Sequence, residues 1–364
     1  MNTHSPASQP KVQAVEAKRD NYDMVDDAAD LALWPQLRGL LTVMREVLLP
    51  VYLEADKAAL LQQAQHAKLV RWAAIFGTIA VLCAISELAV DAPLTRHWIS
   101  GIELLTALAA IVLVVMGIRS ALQPGWLLKR FIAEQCRFIK FHLLLNPAIW
   151  LGKTDAEIKS GIAGIMTQLH EADQNSADQG KHTIEEWVKW KHPIVGRYQA
   201  IPPSLPDDLA KELTTYCEDK RLDVQRRYFD LEAKKRRVFE ERTRLIPPFC
   251  FFLSILAAFM HFALDWLAGE NDHGWLHKCA ELCIVAAAVL PVIAAGVRTF
   301  RSAHEFGRNQ IRFTAMSYFL NTIEGEADGQ PPTVAFPLLR EAENALEAEH
   351  RAWLRLMIEA EWFG

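Results

Sequence analysis

Five ionisable side chains lie inside or at the rim of long apolar stretches, where charge is rare because its burial in lipid is costly. They are Glu87, Glu103, His261, Asp265 and Glu281. Counting a helical rise of about 1.5 Å per residue places all five near the same end of their stretches. Repeated around an oligomer, they would form an acidic pore mouth that favours cations. The alternative is that each group is simply hydrated at the depth of the lipid headgroups.

A second set of charged residues forms the motif R-x-x-x-E-x-x-R, which follows each pair of apolar stretches. The two copies, 171 residues apart, are Arg130, Glu134 and Arg137, then Arg301, Glu305 and Arg308. Spacings of four and three residues put the three side chains of a copy on one helix face. Such a face can pack one pair of stretches against the other or dock a partner subunit. As a solvated face, each ion pair would contribute only about 0.3–0.5 kcal/mol.

Sequence patterns typical of enzymes do not occur in this chain. There is no H-E-x-x-H, G-x-S-x-G, P-loop or G-x-G-x-x-G motif. The six cysteines are scattered and form no C-x-x-C unit. A net charge of −5 argues against a general nucleic-acid binder. We therefore expect no enzyme, cofactor, metal site or nucleic-acid partner.

The elements that must position these residues are four apolar stretches arranged as two close pairs. Each has about the 20 residues that a helix needs to cross a hydrocarbon core. Hydrophobic residues make up 51% of the chain, but its mean hydropathy is only +0.05, so the apolar residues are concentrated. The stretches are 72–90, 101–118, 247–268 and 279–297. They predict an all-α integral membrane protein with four transmembrane helices, paired as two hairpins and extended by long cytoplasmic helices. Burial of all four in a large soluble core is the alternative.

Basic residues mark one side of every predicted span. Arg71 precedes the first span, and the block Lys234–Arg237 precedes the third. By contrast, the loops 91–100 and 269–278 each hold a single basic residue. Because lysine and arginine accumulate in cytoplasmic segments, both termini and the long middle segment should be cytoplasmic. The polar start of the chain also lacks the apolar core of a cleavable signal.

Composition and helical periodicity divide the chain into five segments. A polar, mobile head is predicted over 1–30, and a final segment with an amphipathic helix over 322–364. Between them lie a first helical unit with its hairpin (31–150), a cytoplasmic connector (151–206) and a second helical unit (207–321). The common offset of 171 residues favours duplication of one unit, although few identities match and chance remains an alternative.

The second unit carries a resemblance to a known family. Four residues, Tyr216, Arg221, Gln225 and Tyr228, lead a basic helix into a hairpin that is followed by R-x-x-x-E-x-x-R. This pattern is similar to the SLATT group, the SMODS- and SLOG-associating two-transmembrane effector domains. Residues 208–321 carry the resemblance best, and 35–145 look like a more divergent copy, which fits the tandem arrangement known in that group.

The resemblance implies a membrane effector of bacterial anti-phage defence. Such a protein would lie in the inner membrane and oligomerise. It would form pores or disrupt the bilayer when a sensor or nucleotide-signalling protein, encoded nearby, activates it. The alternative function is a non-conducting membrane scaffold or sensor that recruits a partner through its cytoplasmic helices.

Overall fold

A computed structural model describes residues 22–87, 90, 92–120, 122–179, 198–268, 274–304 and 306–359. These residues form helices and connecting turns, with no strand among them. The helices are α1 (Ala28–Leu33), α2 (Arg38–Glu87), α3 (Pro93–Arg119), α4 (Leu122–Leu144), α5 (Pro147–Trp150), α6 (Asp155–Gln179), α7 (Asp207–Cys217), α8 (Val224–Arg244), α9 (Ile246–Ala268), α10 (Trp275–His304), α11 (Phe306–Ala327) and α12 (Pro332–Glu359). A π-helix, Glu218–Asp223, connects α7 to α8.

Two helical hairpins contain the four apolar stretches. α2 pairs with α3, and α9 pairs with α10. Each of these helices is long and apolar enough to cross a membrane, yet only about a tenth or less of its most apolar window is buried. Phe252 is 63% exposed and Trp266 is 76% exposed. Because such continuous apolar surface is unstable in water, its environment is a lipid bilayer. The chain is thus an all-α, multi-pass membrane protein, and the prediction of fold class is confirmed.

The two hairpins touch each other where they leave the rest of the protein. α10 packs against α2, and a Cβ atom built at Gly296 would lie 3.5 Å from Oγ1 of Thr78. Within the second hairpin, the hydroxyl of Ser254 donates to the carbonyl of Ala287 at 2.7 Å. Small and hydroxyl-bearing residues therefore make these helix contacts, as is common between membrane helices.

A helical body outside the spans contains the main hydrophobic core. Its centre is α4, which is buried along almost its whole length. Around α4 lie the first half of α2 and helices α6, α7 and α12. Phe131, Phe138 and Phe141 of α4 are almost fully buried in this core. α2 runs through Pro50 without a break, although proline commonly kinks or breaks a helix interior. Its neighbours Leu48 and Tyr52 are buried in the core.

Some boundaries differ from those expected from the sequence. A mobile head was expected over 1–30, but residues 22–30 pack into the body, and residues 1–21 lie outside the described part. The polar composition of residues 22–30 suggested exposure to solvent, but their acidic side chains pair with buried cations. Within the predicted connector 151–206, α6 extends to Gln179. The last helix begins at Pro332, inside the segment 322–364 that was predicted to contain it.

The two predicted units share an order of elements. In each, a long helix enters a hairpin, and the helix that follows the hairpin returns to pack on the long one: α4 on α2, and α11 on α8. α7, the π-helix, α8 and most of α9 form a single 61-residue helical rod, Asp207–Leu267. Duplication of one ancestral unit stays a prediction, since the contacts of the two return helices differ in detail, as described below.

Candidate functional site

The first hairpin places its two predicted acidic residues near its tip. Glu87 ends α2, and its carboxylate accepts a short hydrogen bond from the hydroxyl of Ser100 on α3. Glu103 lies about one turn further along α3 and is half-buried. The Glu87–Ser100 contact joins the two helices of this hairpin at its outer end.

In the second hairpin, the predicted residues Asp265 and Glu281 lie on either side of His277. His277 itself was not predicted from the sequence. Nδ1 of His277 lies 4.0 Å from Oδ1 of Asp265, and Nε2 lies 3.5 Å from Oε1 of Glu281. All three side chains are 44–60% exposed. His261, one turn before Asp265, contacts the carbonyl of Ala280 through Nδ1 at 2.9 Å.

The five candidates therefore form two groups, one near the tip of each hairpin. Within the described part of the chain, the contacts of these residues stay within their own hairpin. An acidic ring around a pore would require several copies of the chain. The pore-mouth role and the hydrated-headgroup role both remain predictions at this site.

The first R-x-x-x-E-x-x-R motif lies inside the body. Glu134 bridges both arginines, with Oε1 at 2.7 Å from Arg130 and 2.6 Å from Arg137. Arg130 also pairs with Asp56 of α2 at 3.1 Å, and Arg137 donates to the hydroxyl of Tyr52. Because Glu134 and Arg137 are each only 8% exposed, this copy is not a solvated face. It holds α4 against α2 within one chain.

The second motif is arranged differently. Arg301 of α10 pairs with Glu240 of α8, so it connects the return side of the hairpin to its entering side. Arg308 is exposed on α11, and Glu305 lies outside the described residues. The partner-docking role of this copy stays a prediction.

The most extensive buried charge network was not foreseen from the sequence. It forms around the segment 22–30, whose aspartates insert between α4 and the π-helix. Lys140 of α4 contacts Oδ2 of Asp26 at 2.7 Å, and Lys220 of the π-helix contacts Oδ2 of Asp30 at 3.2 Å. All of these groups are almost fully buried. The body is therefore held by ion pairs shielded from solvent as well as by apolar contacts.

Asp23 forms ion pairs with arginines of two different helices. Its Oδ2 atom lies 3.1 Å from Nε of Arg137 and 3.2 Å from NH1 of Arg221. Arg221 also makes two hydrogen bonds to Glu343 of α12, at 2.9 and 2.8 Å. Such paired bonds between a guanidinium and a carboxylate are strong and directional. The carboxylates of Asp23 and Glu343 thus connect α4, the π-helix and α12.

Two adjacent cations of the π-helix, Lys220 and Arg221, both face the interior. An α-helical turn separates neighbouring side chains by about 100°, but the wider i to i+5 turn alters this register locally. Lys220 and Arg221 are 0% and 5% exposed. π-turns within helices frequently occur at functional positions.

Three of the four residues that carried the family resemblance contact the segment 22–30. The hydroxyl of Tyr216 donates to Asp26 at 2.8 Å, Arg221 pairs with Asp23, and the amide of Gln225 donates to Asp23 at 3.3 Å. Tyr228 instead packs against Phe229 and Phe313. The pattern therefore marks a contact surface of the body in this chain.

Burial changes the electrostatics of this network. For Glu134, burial opposes ionisation, but Arg137 and Arg130 outweigh it and lower its pKa well below the usual value. Burial also lowers the pKa of Lys140, although Asp26 acts in the opposite direction. The pKa of His350, which is buried against Phe131 and Trp353, falls to about 4 for the same reason. At neutral pH His350 is an uncharged member of the core.

One signal in the sequence could have revealed the acidic segment. Asp23, Asp26, Asp27 and Asp30 recur at the three- and four-residue spacing of a helix face. Asp27 caps α1 by accepting from the backbone of Asp30. No group of histidine, cysteine or acidic side chains in the described part of the chain has a metal-binding arrangement. The network is suited to holding helices together, and it has no nucleophile paired with a base.

No family model, curated protein or solved structure matches this chain. The likeness to the SLATT group therefore rests on the motif residues alone. Arguments about function depend on the geometry of the hairpins and of the body.

Proposed function

We propose that this protein is a membrane effector that oligomerises to form a pore or to disrupt the bacterial inner membrane. One observation carries the proposal: two apolar hairpins emerge from a body whose buried ion network lies on the same continuous helices. α2 carries Tyr52 and Asp56 of the network and then its first span. The rod Asp207–Leu267 carries Lys220 and Arg221 and then the third span. A rearrangement of the body would therefore move the spans.

The orientation proposed is body inside, hairpin tips outside. Exposed basic side chains lie on the body side of the spans, including Arg71, Arg119, Arg242 and Arg244. This asymmetry follows the tendency of basic residues to stay on the cytoplasmic side. Both termini would then be cytoplasmic.

The setting proposed is anti-phage or nucleotide-signalling defence. This part rests on the likeness of Tyr216, Arg221 and Gln225, together with the motif after the second hairpin, to the SLATT group. A sensor or nucleotide-signalling protein encoded beside this one would be its activating partner. A genomic neighbourhood with no such gene would remove this support while leaving the membrane role intact.

The experiment that tests permeabilisation uses purified protein in sealed vesicles under a KCl gradient. We expect cation-selective leakage, and the double variant Glu87→Gln with Glu281→Gln should reduce its selectivity, because it removes one carboxylate from each hairpin tip. The double variant Asp155→Asn with Glu171→Gln, at exposed positions of α6, is the matched control and should leave selectivity unchanged. Induced expression with a membrane-potential dye extends the test to cells. Sealed vesicles together with unchanged potential and growth, even with the cognate activator, would refute the proposal.

A non-conducting scaffold is the second candidate, and one observation favours it. α8 and the residue that caps its end expose an apolar row outside the spans, formed by Tyr228, Leu231, Val238 and Leu245. Their spacing of three, seven and seven residues keeps them on one side of the helix, as at a helix–helix contact. Leu231→Glu with Val238→Glu should abolish capture of a cytoplasmic partner if this function holds. Vesicle leakage that is unaffected by these changes would favour the effector.

A further inference from the structure

The acidic segment 22–30 occupies a cleft between the two units of the protein. On one side is α4, which returns from the first hairpin, and on the other is the π-helix, which leads into the second hairpin. Asp23 contacts both sides directly, through Arg137 and Arg221. The segment therefore lies at the junction through which the body links the hairpins.

The cleft is strongly cationic without this segment. Its charged walls are Arg137 and Lys140 from α4 and Lys220 and Arg221 from the π-helix, all 8% exposed or less. Glu134 and Glu343 would still partner the two arginines. Among the described residues, Lys140 and Lys220 have Asp26 and Asp30 as their paired carboxylates. The ring of Tyr22, which belongs to the same segment, lies 3.5 Å from Nζ of Lys220.

Removal of the carboxylates would leave these lysines buried without their counter-ions. A buried ion whose partner is removed is strongly destabilising, because the low-dielectric interior does not compensate its lost hydration. Lys140 and Lys220 would then repel each other, and each would move toward water. Since they belong to different units, their separation would open the junction between α4 and the π-helix.

We propose that residues 22–30 are an autoinhibitory clamp, an acidic strap that holds the two hairpin units together until it is withdrawn from the cationic cleft. Withdrawal frees the α4 side and the π-helix side to move apart, and their attached spans move with them. The inhibitory role rests on the proposed function, whereas the clamping role does not. The two roles can therefore be tested separately.

Two native cysteines report on the clamp without any assay of conduction. Cys136 precedes Arg137, and Cys217 follows Tyr216, the donor to Asp26; both thiols are buried. The test uses full-length protein in which the span cysteines are replaced by alanine: Cys83, Cys250, Cys279 and Cys283. The rate of modification by a water-soluble maleimide then measures opening of the body.

The clamp variant is Asp23→Asn, Asp26→Asn and Asp30→Asn, which keeps side-chain shape and removes three negative charges. We expect both thiols to react about tenfold faster or more, because local opening limits their modification. The matched control is Glu54→Gln, Glu171→Gln and Glu326→Gln, which removes the same charge from exposed positions. Its rates should stay within about twofold of the parent.

Two variants with fewer substitutions distinguish opening of the clamp from misfolding of the triple variant. Asp26→Asn alone should accelerate labelling, and adding Lys140→Met should slow it again, since replacing both partners of a buried pair removes the unpaired charge. Unchanged labelling in variants that retain full helicity, or no rescue by Lys140→Met, would overturn the clamp.

Leakage of vesicles separates the two levels of the inference. If the clamp is autoinhibitory, the triple Asp→Asn variant leaks faster than its matched control. Faster labelling with sealed vesicles would support the clamp and contradict permeabilisation. Leakage equal to that of the control, in a protein that does permeabilise, would contradict the inhibitory role.

Discussion

At the scale of single residues, buried charges connect several helices of this body. Arg221 contacts carboxylates on the 22–30 segment and on α12, and it lies almost completely out of solvent. Glu134 similarly joins two arginines of its own helix. Buried ion pairs add little net stability compared with apolar residues, but breaking one is costly. We expect these pairs to act mainly by specifying which helices meet.

Arg221 should therefore be highly sensitive to truncation. Arg221→Met leaves Glu343 and Asp23 without a shared cation, and we expect a loss of about 3–5 kcal/mol in the free energy of unfolding. Arg221→Lys keeps the charge but loses the paired geometry, so its loss should be smaller. Denaturant unfolding in detergent, followed by circular dichroism, measures both. Lys159→Met, at an exposed pair with Glu46, is the control and should not change the free energy of unfolding measurably. If Arg221→Met also left the free energy of unfolding unchanged, the prediction would be wrong.

His350 should make the body sensitive to mild acid. Its pKa is near 6.5 in the unfolded chain and falls to about 4 in the folded protein because of burial. The unfolded chain thus binds a proton that the folded protein does not, and stability is lost as the pH drops below 6.5. The loss at pH 5 should be about 2 kcal/mol.

His350→Phe tests this pH dependence, since an aromatic ring fits between Phe131 and Trp353. The variant should show a flatter decline in unfolding free energy between pH 7 and pH 5. His170→Gln, at an exposed position of α6, should retain the parental decline. A parental decline in His350→Phe would show that another group is responsible.

At the scale of elements, continuous helices connect the body to the spans. α2 runs for 50 residues from the body into the first hairpin. The rod that begins at Asp207 continues through the π-helix into the third span. Lys220 and Arg221 lie in this π-helix and are buried in the body. The third span is therefore a direct continuation of the helix that carries two cations of the ion network.

The contact between hairpins can be tested by a disulfide between Thr78 and Gly296. A Cβ atom built at Gly296 would lie 3.5 Å from Oγ1 of Thr78, so cysteines at the two positions would face each other across the helix contact. Thr78→Cys with Gly296→Cys, in a background without native cysteines, should cross-link under mild oxidation within one chain. Thr78→Cys with Val297→Cys is the matched control, because residue 297 is turned about 100° away. Equal cross-linking of both pairs would contradict the packing of α2 against α10.

At the scale of the whole molecule, the protein is a body with two hairpins on one side. The apolar surface of the hairpins is covered by lipid, whereas the polar body buries its own core around α4. α10 packs against α2, with Gly296 close to Thr78. We therefore expect the two hairpins to run side by side, with both tips on the same side of the bilayer.

Single cysteines at Ser100 and His277 should report both tips on the outer side. In intact cells, an impermeant maleimide should label Ser100→Cys and His277→Cys, because basic residues retain the body inside. A cysteine at Lys159, exposed on α6, should react only after permeabilisation. Labelling of one tip but not the other would contradict parallel hairpins, and early labelling at position 159 would reverse the orientation.

The sequence by itself determined the helical class, the four spans and the basic side of each one. These follow from local properties: apolar runs long enough to cross lipid, and charges close to their ends. It also identified Arg130, Glu134 and Arg137 as one helix face, since helical spacing is local. It did not determine what that face meets.

Only the tertiary structure decided that residues 22–30 belong to the body. Asp23 lies 114 residues before Arg137 and 198 before Arg221, and no local pattern connects groups so distant. A polar segment is read as exposed because burial of charge is costly, unless partners from other helices compensate it. Folding brings those partners together, and so places residues 22–30, the end of the predicted mobile head, at the acidic centre of the body.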